Sequence, residues 1–130
     1  MANSIRTAQR TGIAQYLIDQ LGAGAKIKRY NGTPPATAET ALSGNTLLAT
    51  AVAGATIGTA SAGAIDFDEA GLTQNNTLHV SGTPTFVDLT TSADVVIVRG
   101  LVGFGWTVSS PVVNGVDVTH TALSITVGNV

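Results

Sequence analysis

The chain has no cysteine, which excludes a disulfide framework, thiol catalysis and every thiolate metal site. Charge is the next scarcity. Only 11% of its 130 residues are charged, against roughly 25% in ordinary soluble domains. With a mean hydropathy of +0.32, a free monomer would be poorly solvated, so part of the surface is expected to be covered by neighbours. The competing reading is a monomeric β domain with an uncharged surface. No apolar run approaches the ~18 residues of a membrane span. The start, MANSIRTAQR, has no apolar stretch of a signal peptide behind its bases. A protein made in a cytoplasm, with no membrane partner, is the expectation.

These shortages leave little material for chemistry. His79 and His120 are the only histidines, and no Gly-x-Ser-x-Gly elbow presents a nucleophile to either. Asp66, Asp68 and Glu69 gather three carboxylates, but they lack the Asp-x-Asp-x-Asp-Gly loop that wraps Ca²⁺, and a solvated acidic face is the simpler reading. Gly22-x-Gly24 and Gly103-x-Gly105 begin a dinucleotide fingerprint, yet the third glycine position is Ile27 in one and Val108 in the other. The expectation is therefore a protein that is not an enzyme, with no catalytic residue, no cofactor and no metal.

What charge there is lies unevenly. Arg6, Arg10, Lys26, Lys28 and Arg29 are five of the six bases, and Asp19 is the one acid among the first thirty residues, a local net of +4 against −6 for the remainder. Such a split suits contact between the basic start of one chain and an acidic surface on another, although solvated bases would look the same. These five bases, with Trp106 as an aromatic anchor, are the candidate interface residues. The overall charge of −2 gives no general reason to bind nucleic acid.

The spacing predicts a helix over residues 4–21, capped by Ser4, with Ile13, Leu17 and Leu21 on one side and Gly22 and Gly24 ending it. Gly12 is a point at which an extended arm (1–11) would give way to a shorter helix (13–21). Residues 26–30 read as a strand with Ile27 between two lysines of the other face, and 46–53 as another. Ile65 and Phe67 alternate with Asp66 and Asp68, the signature of a half-buried strand. The Gly-rich run between 54 and 63 reads as an irregular connection. Further strands are expected at 78–80, 85–89, 95–99, 106–109, 116–119 and 123–127. Residues 91–94 form a hairpin connection and Asn114-Gly115 a tight turn. Short strands and frequent turns predict a mainly β chain. Its expected form is an antiparallel β-sandwich, a jelly roll being one version, with an N-terminal helix or arm (1–24) ahead of the β domain (25–130).

One stretch is recognisable. Tyr30-Asn31-Gly32-Thr33-Pro34-Pro35-Ala36-Thr37, followed by Thr40-Ala41-Leu42-Ser43-Gly44-Asn45-Thr46-Leu47-Leu48-Ala49-Thr50, resembles a family of small phage and prophage proteins. Residues 113–127, Val-Asn-Gly-Val-Asp-Val-Thr and then Leu-Ser-Ile-Thr-Val, resemble the tails of the same family. The likeness covers about two-thirds of the chain and implies a virion structural protein of the head region. It supplies no catalytic residues. The insert from Val52 to Gly63 and the Phe104-Gly105-Trp106 segment depart from the pattern. The reading that follows is a capsid decoration, or cement, protein on the outer surface of the particle. Its partners would be the major capsid protein and copies of itself, with a trimer among the forms open to it. A neck, tail or fibre component of the same particle is the structural alternative. A virion-displayed carbohydrate-binding module is the other, for which Trp106 and Tyr30 would be the exposed aromatics.

Overall fold

The structure, a computed structural model, describes residues 4–101, 111–118 and 124–126. The fold is mainly β. One helix, α1 (Thr7–Leu21), precedes strands β1 (Lys26–Tyr30), β2 (Leu47–Val52), β3 (Gly58–Ser61), β4 (Ala64–Phe67), β5 (Thr73–Gln74), β6 (Phe86–Thr90), β7 (Val96–Leu101) and β8 (Ser124–Thr126). Single 3-10 turns at Glu69–Gly71 and Asn76–Leu78 flank β5. All pairings between strands are antiparallel. They make a five-stranded sheet, ordered β5-β2-β1-β6-β7, and a three-stranded sheet, ordered β3-β4-β8.

Alternation along the strands sorts the large sheet into two unlike faces. Ile27 pairs with Ala51 on one side and Leu89 on the other, and these residues bury against Ile65 and Phe67 of β4 and Ala14, Ile18 and Leu21 of α1. The small sheet and the helix thus cover one face of the large sheet as an open sandwich. The opposite face carries Lys26, Lys28 and Tyr30 of β1 beside Thr90, Asp88 and Phe86 of β6. The long connection 31–46 folds back over that face. Every residue of β6 is consequently buried.

The helix differs from its prediction in its continuity, its cap and its buried stripe. It is continuous through Gly12, so no boundary between arm and helix falls there, and its N-cap residue is Arg6, with no side-chain cap bond. The first turn is held instead by Arg10, whose Nε donates to the Ile5 carbonyl and whose Nη2 donates to Thr7 Oγ1. The buried stripe is Ala14, Ile18 and Leu21, while Ile13 is 41% exposed. The smaller Ala14 lets the helix sit close against β3 and β4. Gly22 ends the helix at φ +72, a conformation that favours glycine.

Strands β1, β2, β4, β6 and β7 stand within a residue or two of their predicted positions. The Gly-rich run, expected to be irregular, contains β3. It pairs with β4 through a two-residue turn at Ala62 and Gly63, both at positive φ. Such turns match the twist of a hairpin. A Cβ at Gly58 would strike the carbonyl of Asp66 on the paired strand, which explains the glycine there. Residues 78–80 and 116–118 are not strands: the first begins within the 3-10 turn Asn76–Leu78 and the second follows the Asn114-Gly115 turn. In β8, Ile125 pairs with Ile65. Leu123 and Val127, the predicted strand at 106–109, Trp106 and His120 lie outside the described residues.

Candidate interaction surface

The predicted basic group does not assemble into one patch. Lys26 and Lys28 both reach Asp94 at the β6–β7 turn, at 2.8 and 2.7 Å. The two lysines hold the Asp94 carboxyl at about 2, below the usual carboxylate range, first through the hydrogen bond from Lys26 and then through that from Lys28. Arg29 points the other way. It stands on the core face between Ala49 and Val87 and is 0% exposed, so it offers no surface for docking. Burial brings its pKa down to about 10. Arg10 packs over Gly63 of the β3–β4 turn, and Arg6 is exposed beside the start of the helix. Tyr30 is buried and stacks on Phe86 with ring centroids 5.2 Å apart, so it is no exposed plate for a sugar.

The recognisable stretch 30–50 has a structural explanation. Arg99 of β7 forms an ion pair with Asp88 and donates from Nη1 to the carbonyls of Thr37 and Thr40, at 2.7 and 3.0 Å. Asn45 donates to the carbonyls of Asn31 and Thr33, and Asn31 Oδ1 accepts from the Thr46 N–H. Gly32 and Gly44 take positive φ at the two bends. The Asn, Gly and Thr residues of the motif therefore latch the connection onto the polar face of the sheet.

A second latch builds the more exposed surface. The segment 112–118 makes one bridge, Gly82 with Val112, and otherwise lies along residues 74–82 without forming a strand. Side-chain amides replace the ladder. Gln74 donates to the Val118 carbonyl and accepts from its N–H, both at 2.9 Å. Asn114 donates to the carbonyls of Thr77 and His79. Asn76 donates to Asp117. The result is a ledge on which Leu78 is 75% exposed and Val116 56%, with Val80 and Val113 also exposed. The resemblance in the tail, at 113–118, falls on this ledge.

Beside the ledge, along β2 and β5, a cavity of about 470 Å³ is lined by Leu47, Leu48, Val52, Leu78 and His79 among others. His79 is 3% exposed. Its Nδ1 lies 3.1 Å from the Val116 carbonyl. A carbonyl oxygen only accepts, so Nδ1 carries the hydrogen and Nε2 is the acceptor of the neutral ring. Nε2 is buried and has no hydrogen-bond partner among the described residues. Sequence reasoning placed His79 in an expected strand, with no nucleophile elbow to serve it, and missed the cavity. The nearest sequence signal was a histidine set between the apolar residues Leu78 and Val80. Among the described residues, no group of three or more His, Asp and Glu stands close enough to hold a metal ion. No helix among them is long and apolar enough to cross a membrane.

Comparison of the chain with family models, with curated proteins and with solved structures finds no match in any of the three.

Proposed function

We propose that this chain is a structural protein of a tailed-phage particle, and specifically a decoration protein that binds the outside of the capsid across seams between major capsid protein subunits. The observation that carries this reading is the exposed apolar ledge formed by Leu78, Val80, Val113 and Val116. Isolated exposed apolar residues are ordinary, but four on two segments clipped side by side suit a contact surface. The low charge content supports the same reading, because such a surface is better covered than solvated. So does the resemblance of residues 30–50 and 113–127 to phage structural proteins. The internal pairing of Lys26 and Lys28 with Asp94 and the burial of Arg29 shift the expected contact from the basic start to the ledge.

The mechanism is mechanical. A protein that binds the intact lattice more tightly than a ruptured one stabilises the lattice by mass action, and many weak contacts sum over many copies. Thermal DNA-release curves of particles lacking the protein test this directly. The expected result is release at lower temperature, restored saturably by adding purified protein. Identical curves, combined with failure of tail attachment, would overturn the capsid reading in favour of a neck or tail part.

A further inference from the structure

We infer that Asn114 is a site of spontaneous covalent modification guarded by the fold. Its carboxamide survives while residues 112–118 stay clipped along 74–82, and it is lost as ammonia once that ledge opens, which prevents the same latch from closing again. The site exists whatever the ledge contacts, so it stands apart from the capsid reading.

The turn itself creates the reactive pair. The Val116 N–H bonds to the Val113 carbonyl and closes a turn with Asn114 and Gly115 at its centre. Gly115 takes φ +80 there, a conformation that favours glycine. The same missing side chain leaves the Gly115 amide nitrogen unhindered next to the Asn114 carboxamide. In an open chain that nitrogen attacks Asn114 Cγ. A C–N bond forms, the Cγ–Nδ2 bond breaks, and ammonia leaves with the proton of the attacking amide. Water then opens the cyclic imide at either carbonyl. The product is an aspartyl residue, or an isoaspartyl linkage that runs the main chain through the side-chain carbon.

In the folded chain the attacking nitrogen and the leaving nitrogen are both committed. The Gly115 N–H donates to the Asn76 carbonyl at 2.9 Å. Asn114 Nδ2 donates to the carbonyls of Thr77 and His79, at 3.1 and 2.7 Å. The Asn114 N–H donates to Ser81 Oγ at 3.0 Å. What holds the segment is local. Among the described residues, 112–118 makes one bridge to Gly82 and is otherwise clipped by side chains, Gln74 to Val118 and Asn76 to Asp117 among them. A segment held in that way opens ahead of a buried strand ladder. Modification then removes the clip itself. A carboxylate only accepts hydrogen bonds, so at position 114 it would set its charge against the two carbonyls that Asn114 now holds. Asn31-Gly32 is the same dipeptide without this guard. Asn31 commits only its carboxamide oxygen, to the Thr46 N–H, and the Gly32 N–H has no partner among the described residues.

The test follows both dipeptides of the purified full chain by peptide mapping, reading the mass gained when an amide becomes an acid, in mildly alkaline buffer with and without guanidinium. Unfolded, the two asparagines should convert at similar rates. Folded, Asn114 should convert about tenfold or more slowly than it does unfolded, the ratio being the fraction of time the ledge is open, and it should trail Asn31. Gln74→Ala unclips the far end of the ledge without touching the turn. In that variant, still folded, Asn114 should convert about tenfold faster than in the folded parent while Asn31 keeps its rate. Asn114→Asp stands in for the product. Its Gly82, Val112 and Gly115 amides should exchange about tenfold faster, with those of Ile27 and Leu89 unchanged. Conversion of folded Asn114 at its unfolded rate or ahead of Asn31, no acceleration in Gln74→Ala, or unaltered exchange in Asn114→Asp would each overturn the inference. Should either variant fail to fold, the folded and unfolded rates of the unsubstituted chain still decide the matter.

Discussion

Asp88 and Arg99 stand directly opposite each other on β6 and β7 and form a two-pronged ion pair, Nε to Oδ1 at 2.7 Å and Nη2 to Oδ2 at 2.9 Å, with the Asp88 side chain almost wholly buried. The same guanidinium lies 5.6 Å from the Phe86 ring centroid and holds the carbonyls of Thr37 and Thr40. One side chain thus joins the polar face of the sheet to the connection that covers it. Removing one member of a buried pair strands the other charge, so Arg99→Met is expected to cost about 3–5 kcal/mol. Amide exchange should accelerate over residues 37–42 before global unfolding. The double variant Asp88→Asn/Arg99→Met should lose less than Arg99→Met alone. Urea unfolding and hydrogen exchange check both expectations.

Asp94 gives an acid-dependent term of known sign. Its folded pKa of about 2 lies below the ordinary value of 3.8. The stability contributed by its pairing with Lys26 and Lys28 is therefore fully present above about pH 4 and is lost as pH falls through about 2. Asp94→Asn keeps a residue that tolerates the φ of +68 at this position, so the substitution isolates the charge. Urea midpoints of the two proteins should differ at pH 6 and converge near pH 2. Raised salt should narrow the gap at pH 6, because Asp94 is exposed.

The β3–β4 hairpin makes two opposite predictions. Gly58→Ala sets a Cβ against the Asp66 carbonyl and is expected to destabilise by about 1–3 kcal/mol. Ala62 sits at φ +50, a conformation that costs an alanine roughly 1–2 kcal/mol. Ala62→Gly is expected to recover part of that cost, less the added chain entropy of glycine. Thermal denaturation of the two variants should move in opposite directions.

How far the sequence shows all this depends on whether a residue's role is periodic. Ile65 and Phe67 alternate with Asp66 and Asp68, and the structure buries the first pair and exposes the second. Ile27 between Lys26 and Lys28 is equally legible, as is the hairpin connection at 91–94. Arg29 is not legible. Alternation puts it on the Ile27 face, but a guanidinium normally argues for solvent. In the helix, Leu21 is buried as its spacing predicts and Leu17 packs against the core, but Ala14 takes the buried place expected for Ile13, because alanine is the weaker apolar signal. The ledge is not periodic at all, since Gln74, Asn76 and Asn114 shape it through side-chain bonds between segments about 35–45 residues apart. His79 was visible as a residue, whereas its cavity arises only when β2 and residues 73–79 come together.

The ledge makes the most direct prediction about function. Leu78 and Val116 project into solvent, so Leu78→Asp and Val116→Asp should leave unfolding free energy within about 0.5 kcal/mol of the parent. If the ledge is the contact, each charge would be buried without a partner on docking, and attachment to particles should weaken about tenfold or more. Salt separates this contact from an electrostatic one. Lys26 and Lys28 are both paired with Asp94, and Arg29 is buried, which leaves Arg6 as the most exposed of the predicted bases. Attachment through the ledge should therefore change little between low and high salt, whereas attachment through the basic start would fall steeply. Co-sedimentation of each variant with particles that lack the protein, at both salt concentrations, measures the two effects together. Unchanged binding by the aspartate variants, with strong salt dependence and loss on Arg6→Glu, would return the contact to the N-terminal region.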